Sequence, residues 1–263
     1  MANKAVINKD IELKQQFQKI IQKNYSTSIE QGDLTKKSII TKLNKWVSQE
    51  TNNLIPQLFT EPFEGDTMLI LINVLYFKGL WERLFEPCKE KQCFHNLDGT
   101  KSRIVRLPYK RGASMYIFMP LEVNGIQAFI DNLDHQKMQK YMKFRMSCEF
   151  SPMRIPMFRL EDSHNLSKIL PAMGLSLPFS SSSDFTGISD DPSRVSSSVQ
   201  KTVIIVDEKG TEAAAATFMQ PTCCSSRPRP QFILDRPFIF FIRDEGILIN
   251  LFVGVVTNLP NQM

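Results

Sequence analysis

The sequence predicts an α+β fold in a single domain, and three observations carry that prediction. Met68-Leu-Ile-Leu-Ile-Asn-Val-Leu-Tyr-Phe77 is a near-continuous apolar run of the kind that forms a central strand buried on both faces. Thr202-Val-Ile-Ile-Val206 is a second run, short and β-branched, that reads as another buried strand. Elsewhere apolar residues recur at helical spacing among Lys and Gln. At 263 residues, with 42% hydrophobic and 22% charged content, the chain has an ordinary globular composition. Its 32 basic and 27 acidic residues leave a formal net charge of +5. A basic surface for a glycosaminoglycan is possible, yet no long Lys/Arg run supports one, and nothing points to nucleic acid. No apolar run is long enough to span a bilayer, which argues against a membrane partner. The first ten residues lack the apolar core of a signal peptide.

Taken in order, residues 10–25 place Ile11, Leu13, Phe17, Ile20 and Ile21 among Lys and Gln and predict an amphipathic helix. Ser38 to Phe59 predicts a better one, with Ile39, Leu43, Trp46 and Val47 at helical spacing and Pro56 beyond its end. In the strand at 68–77 the one polar interruption is Asn73. A buried amide without partners costs roughly 1–3 kcal/mol, so Asn73 should be hydrogen-bonded to a neighbouring strand. Ile126 to Met142 predicts a helix with Phe129, Leu133 and Met138 on one side, and Arg154 to Leu160 a strand. Residues 161–166 cap a further helix that ends near Met173-Gly174, where glycine suits a left-handed C-cap. Ser180 to Ser198, rich in Ser, Asp and Pro, reads as a loop. There is no internal repeat and no linker.

Function turns on the segment beyond the second strand. Asp207 to Gly210 should turn the chain, since glycine tolerates backbone angles that other residues do not. Past this turn, four consecutive alanines have top helix propensity. Thr211, Ala213, Ala215 and Thr217 also form one face of a possible strand, and every residue on that face is small. Such a segment could slide between two strands of a finished sheet without demanding a cavity.

Glu208-Lys-Gly-Thr-Glu-Ala-Ala-Ala-Ala-Thr217 resembles the hinge of the serpins, the serine protease inhibitor family. Phe232 to Ile242 resembles that family's C-terminal signature and stands at the family's separation from the hinge. Lys78-Gly-Leu-Trp-Glu82, Leu107-Pro-Tyr109, Ala113 to Pro120 and Asp184-Phe-Thr-Gly187 match further family stretches. The resemblance covers nearly all of the chain. It implies the serpin fold, a mixed main β-sheet with further sheets and surrounding helices. It also implies an incomplete one, lacking the family's N-terminal helices, its signal peptide and a segment near 100–107. Residues 44–51 would belong to the helix lying across the front of the main sheet. Asn73, Trp81 and Gln200 would mark the region where that sheet opens, with Gln200 in place of the family's usual histidine. Met157 falls where a lysine commonly pairs with the hinge glutamate, although an exposed pair would contribute little.

By this resemblance the chain is not an enzyme and uses no cofactor. It would inhibit serine endopeptidases as a suicide substrate. The protease serine attacks the exposed loop and forms an acyl-enzyme. The freed hinge (Glu208, Gly210, Thr211, Glu212, Ala213, Ala214, Ala215, Ala216 and Thr217) then inserts into the main sheet. A ten-residue insertion makes ladder hydrogen bonds at about 0.5–1.5 kcal/mol each, enough to disturb a protease stable by roughly 5–15 kcal/mol. The family's spacing puts the scissile bond at Cys224-Ser225, which favours a chymotrypsin- or elastase-like target in a covalent one-to-one complex. The alternatives are a non-inhibitory serpin-fold binding protein and an inactive fragment. Among the other residues, Cys88, Cys93 and His95 have no fourth metal ligand nearby, so no metal site is expected. The five cysteines, an odd number, do not make a full disulfide framework. Asn24 and Asn165 head glycosylation sequons, a weak pointer to an extracellular protein that leaves an intracellular one open.

Overall fold

A computed structural model describes residues 2–25, 27–81, 91–92, 96–97, 100–143, 149–150, 153–207 and 232–258. The chain opens with β1 (Ala2–Asn8), α1 (Gln15–Tyr25), β2 (Ser28–Gly32), α2 (Lys37–Glu50) and β3 (Leu69–Phe77). Next come β4 (Lys91–Gln92), β5 (Asn96–Leu97), β6 (Thr100–Pro108), β7 (Ala113–Pro120), α3 (Ile126–Asn132) and α4 (His135–Lys143). It continues through β8 (Glu149–Phe150), β9 (Met153–Arg154), β10 (Phe158–Asn165), α5 (Leu166–Ala172) and β11 (Val195–Val206). The last strands are β12 (Phe232–Ile233), β13 (Phe238–Asp244) and β14 (Ile249–Val256).

These elements pack as two compact units, Met1–Phe77 with Arg159–Ile204, and Lys78–Phe158 with Ile205–Met263. The first holds a mixed sheet of order β10-β11-β3-β1-β2, in which β1 pairs antiparallel with β3 and parallel with β2. One face of this sheet is dry. Val6, Ile70, Ile72 and Val74 are buried there, as are Ile39, Ile40, Leu43 and Val47 along α2. Lys4 is buried on the same face, its ammonium 4.8 Å from the Trp46 ring and 3.6 Å from Glu30, which also takes Lys42. An ammonium pressed this deep is met by an aromatic face and a carboxylate. The opposite face carries Ala5, Ile7, Leu69 and Val195 as a buried cluster with Ile11, but Leu71 in mid-strand is 39% exposed. The strand expected to be buried on both faces is therefore closed on one face and half open on the other.

The second unit is built on an antiparallel sheet of order β14-β13-β7-β6-β5. Alternate residues of β6, β7 and β13 (Ile104, Tyr116, Phe118, Ile239, Phe241) form one core with Phe129 of α3 and Met142 of α4. That layer stops short of β14, whose Ile249, Leu251, Val253 and Val255 are about half exposed. The close approach of β13 to β14 requires Gly254, since a Cβ there would lie 2.4 Å from the Phe240 ring.

Several boundaries differ from the sequence expectation, each for a local reason. The second helix ends at Glu50 instead of Phe59 because Asn52 and Asn53 turn left-handed, with φ of 51° and 62°. The helix expected at 126–142 breaks in two: Leu133 is extended, and Asp134 accepts from Lys137 N at 2.7 Å to start α4. The strand expected at 154–160 is divided between β9 and β10, and β10 runs on to Asn165, where the side chain caps α5 by accepting from Ser167 N. The glycine C-cap holds, with Gly174 at φ 98°. The helix over 10–25 begins only at Gln15, and the loop ending at Ser198 yields to strand at Val195.

Candidate functional site

The two apolar runs picked out in the sequence are direct neighbours. β3 and β11 pair in parallel from Leu69↔Val195 to Phe77↔Ile204, with one irregularity between Val195 and Ser197. At the foot of this seam Met68 N donates to Ser196 Oγ at 2.9 Å, and Ser198 N donates to Ser167 Oγ at 2.7 Å. Ser196 and Ser198 thus tie the beginning of β11 to its surroundings.

Halfway along, the register sets Asn3, Asn73 and Gln200 on one rung across β1, β3 and β11, all on the half-open face. Asn73 Nδ2 donates to Asn3 Oδ1 at 2.6 Å, the neighbouring-strand bond that a half-buried amide requires. Asn73 and Gln200, proposed from sequence as parts of one region, are therefore brought together. Asn3, their third member, was not foreseen; its only signal was a polar residue just ahead of the short apolar run Ala5-Val-Ile7. On the other face Lys201 pairs with Glu161 at 3.6 Å, and Arg159 reaches both Glu161 and, at 2.6 Å, the Leu54 carbonyl. The hydrogen bond from Arg159, first, and the charges of Arg159 and Lys201 hold the Glu161 carboxyl below its ordinary range.

Trp81 belongs to a different constellation from the rung. It is 4% exposed, bridges to Tyr109 in antiparallel fashion and stacks on that ring at 4.3 Å and 10°. Its Nε1 donates to the Asp207 carbonyl at 2.9 Å, while Lys78 lies 3.7 Å from the Asp207 carboxylate. Asp207 is the last described residue before the hinge segment, so a buried tryptophan fixes the point from which that segment departs. Tyr109 is so enclosed that desolvation pushes its phenol far above the ordinary value.

The hinge residues Glu208 to Thr217 and the reactive pair Cys224 and Ser225 lie outside the described residues, as do Cys88, Cys93 and His95. Among the described residues no cluster of three His, Cys, Asp or Glu side chains could hold a metal, and no helix is long and apolar enough to cross a membrane. Met157 is 62% exposed. Asn24 on α1 and Asn165 at the head of α5 are both exposed.

Comparison with known proteins agrees with this arrangement. The family model for serpins, described as serine protease inhibitors, matches residues 1–104 and 88–259. Serpin-Z10 of Arabidopsis thaliana is 32% identical over 97% of this chain and 75% of its own length. The structure of Serpin48, a highly specific serpin of the insect Tenebrio molitor, superposes with a TM-score of 0.81 at 26% identity, over 98% of this chain and 75% of that one. Human thyroxine-binding globulin with thyroxine, at 20% identity, shares the fold at a TM-score of 0.81, covering 98% of this chain and 74% of its own. The chain thus spans about three quarters of the proteins it matches. A parallel seam between two central strands, the hinge sequence directly after the second of them and a family match over nearly every residue lead to one conclusion: the chain belongs to the serpin family.

Proposed function

We propose that this chain inhibits a serine endopeptidase by offering residues around Cys224-Ser225 as bait and inserting Glu208–Thr217 between β3 and β11. The single observation behind the proposal is continuity: β11 ends at Val206, Asp207 is anchored by Trp81, and the small-faced hinge begins at the next residue. Insertion would exchange one parallel ladder for two antiparallel ones, each backbone bond contributing about 0.5–1.5 kcal/mol. Thr211, Ala213, Ala215 and Thr217 would meet the rung of Asn3, Asn73 and Gln200 with side chains that need no new cavity. Cys224, uncharged and of medium size, points to a chymotrypsin- or elastase-like enzyme. The family match in two overlapping stretches supports a single domain lacking a family segment near 100–107. Exposed sequons at Asn24 and Asn165 support an extracellular setting.

The test is incubation with a panel of serine proteases followed by denaturing gel electrophoresis. A complex that survives denaturation, containing enzyme joined to the chain at Cys224, is the expected product. Clipped chain with fully active protease for every enzyme in the panel would refute the inhibitory reading.

A further inference from the structure

We propose that Arg159 latches the seam between β3 and β11 and so sets the rate at which a strand can enter it. The inference rests on the insertion proposed above and names the side chain that insertion must displace. Opening the seam would part the sheet into two groups, and side-chain contacts tell what travels with each. On one side stand β1, β2 and β3. There α2 is tied to β1 by Trp46 over Lys4 and to β2 by Lys42 on Glu30. The loop after α2 is tied to β3, because Asn52 Nδ2 donates to Tyr76 Oη at 2.9 Å. On the other side β11 stays with its neighbour β10, where Lys201 meets Glu161 at 3.6 Å.

Arg159 joins the two groups. From β10 its Nη2 donates to the carbonyl of Leu54, two residues beyond Asn52, at 2.6 Å. In the register Lys201 stands opposite Val74 and Val203 opposite Tyr76, so this bond spans the half of the seam next to Val206, where the hinge would enter. The bond from Met68 to Ser196 lies at the far end and is no obstacle there. With β11 between them, β3 and β10 are two strand spacings apart, and an inserted strand would make three. The added separation of about 4.8 Å is more than a hydrogen bond can stretch, so the Arg159 bond must break. It is built to resist. The bond is charge-assisted, and Arg159 Nε also donates to Glu161 at 2.9 Å, which holds the guanidinium in place.

The test uses the whole chain without protease, and times on native gels the uptake of a fluorescein-labelled peptide with the sequence of residues 208–217. Arg159→Gln should take up the peptide about tenfold faster than wild type, the low end for a hydrogen bond to a charged group, since the Arg159 side chain is 45% exposed. Arg159→Lys keeps a charge beside Glu161 but lacks the fork that serves carboxylate and carbonyl together, and it should fall between. Lys42→Gln and Lys201→Gln each delete an ion pair within one group and should stay within twofold of wild type, a contrast that general loosening would not produce. Equal rates for Arg159→Gln and wild type, no uptake by either included, would overturn the proposal, as would equal acceleration by Lys42→Gln or Lys201→Gln. Faster uptake by Arg159→Gln, with no covalent complex between wild type and any protease, would keep the latch and refute the inhibitory reading. A covalent complex with unchanged uptake would do the reverse.

Discussion

Trp81 is the residue whose replacement most directly separates packing from tethering. Trp81→Phe keeps a ring over Tyr109 and deletes the Nε1–H that meets the Asp207 carbonyl at 2.9 Å. One neutral hydrogen bond contributes about 0.5–1.5 kcal/mol, so this variant should lose about 1 kcal/mol. In a protein of this size that corresponds to a fall in Tm of about 2–4 °C. Trp81→Ala also empties a site that is 4% exposed, and it should cost about 3–5 kcal/mol. Of that, the stack alone should account for about 0.5–1.5 kcal/mol, read as the coupling in a double-mutant cycle with Tyr109→Ala. The assay is urea denaturation followed by circular dichroism, because removing Trp81 leaves Trp46 as the only tryptophan and alters the fluorescence baseline. Trp81→Phe should also accelerate limited proteolysis after Asp207, where the chain loses its anchor. If Trp81→Phe were neutral in both assays, or as costly as Trp81→Ala, the tether would not exist as described.

Three further outcomes are expected. If the chain inhibits as proposed, Thr211→Arg should turn it into a substrate, giving clipped chain and active protease on gels where the wild type gives covalent complex, because a charge at the first small position of the hinge would resist burial on insertion. Asp33 accepts from Thr35 and, at 3.0 Å, from Lys9; first the Thr35 hydroxyl and then Lys9 hold its carboxyl well below the usual range. Its contribution is therefore complete above the unfolded carboxylate value of about 3.9 and is lost as pH falls below it, so wild type and Asp33→Asn should differ in Tm at pH 7 and converge under strong acid. Val253→Lys should lower light scattering on heating several-fold relative to wild type, with little change in folding, since Val253 is 60% exposed in an edge strand with no neighbour on its outer side among the described residues.

How much of this was legible in the sequence depended on whether the signal was local. The runs at 68–77 and 202–206 have enough adjacent apolar residues to announce strands, and both are strands here, paired with each other. β1 escaped because its seven residues include Lys4, whose burial rests on Glu30 and Trp46, partners that sequence order does not reveal. The break between α3 and α4 has a local cause in Asp134, but helical periodicity runs smoothly through it and masked the cap. At the site, Asn73 and Gln200 were found by resemblance, whereas Asn3 became visible only through register. Trp81 was expected near the opening of the sheet; its bond to Asp207, which gives that position a purpose, is a tertiary fact joining residues 126 apart in sequence.

The rung across the seam is made of amides alone. Asn3, Asn73 and Gln200 are all neutral at any physiological pH, where a histidine at position 200 would titrate at about pH 6.5. Parting β3 from β11 at that level therefore takes up and releases no proton. In a compartment that acidifies from about pH 8 to about pH 5, the span over which histidine changes charge, the readiness of this rung to open stays constant. Under the proposed mechanism, any acid sensitivity in the rate of trapping would then arise outside this rung, in other titratable groups of the chain such as Glu161 or in the protease itself.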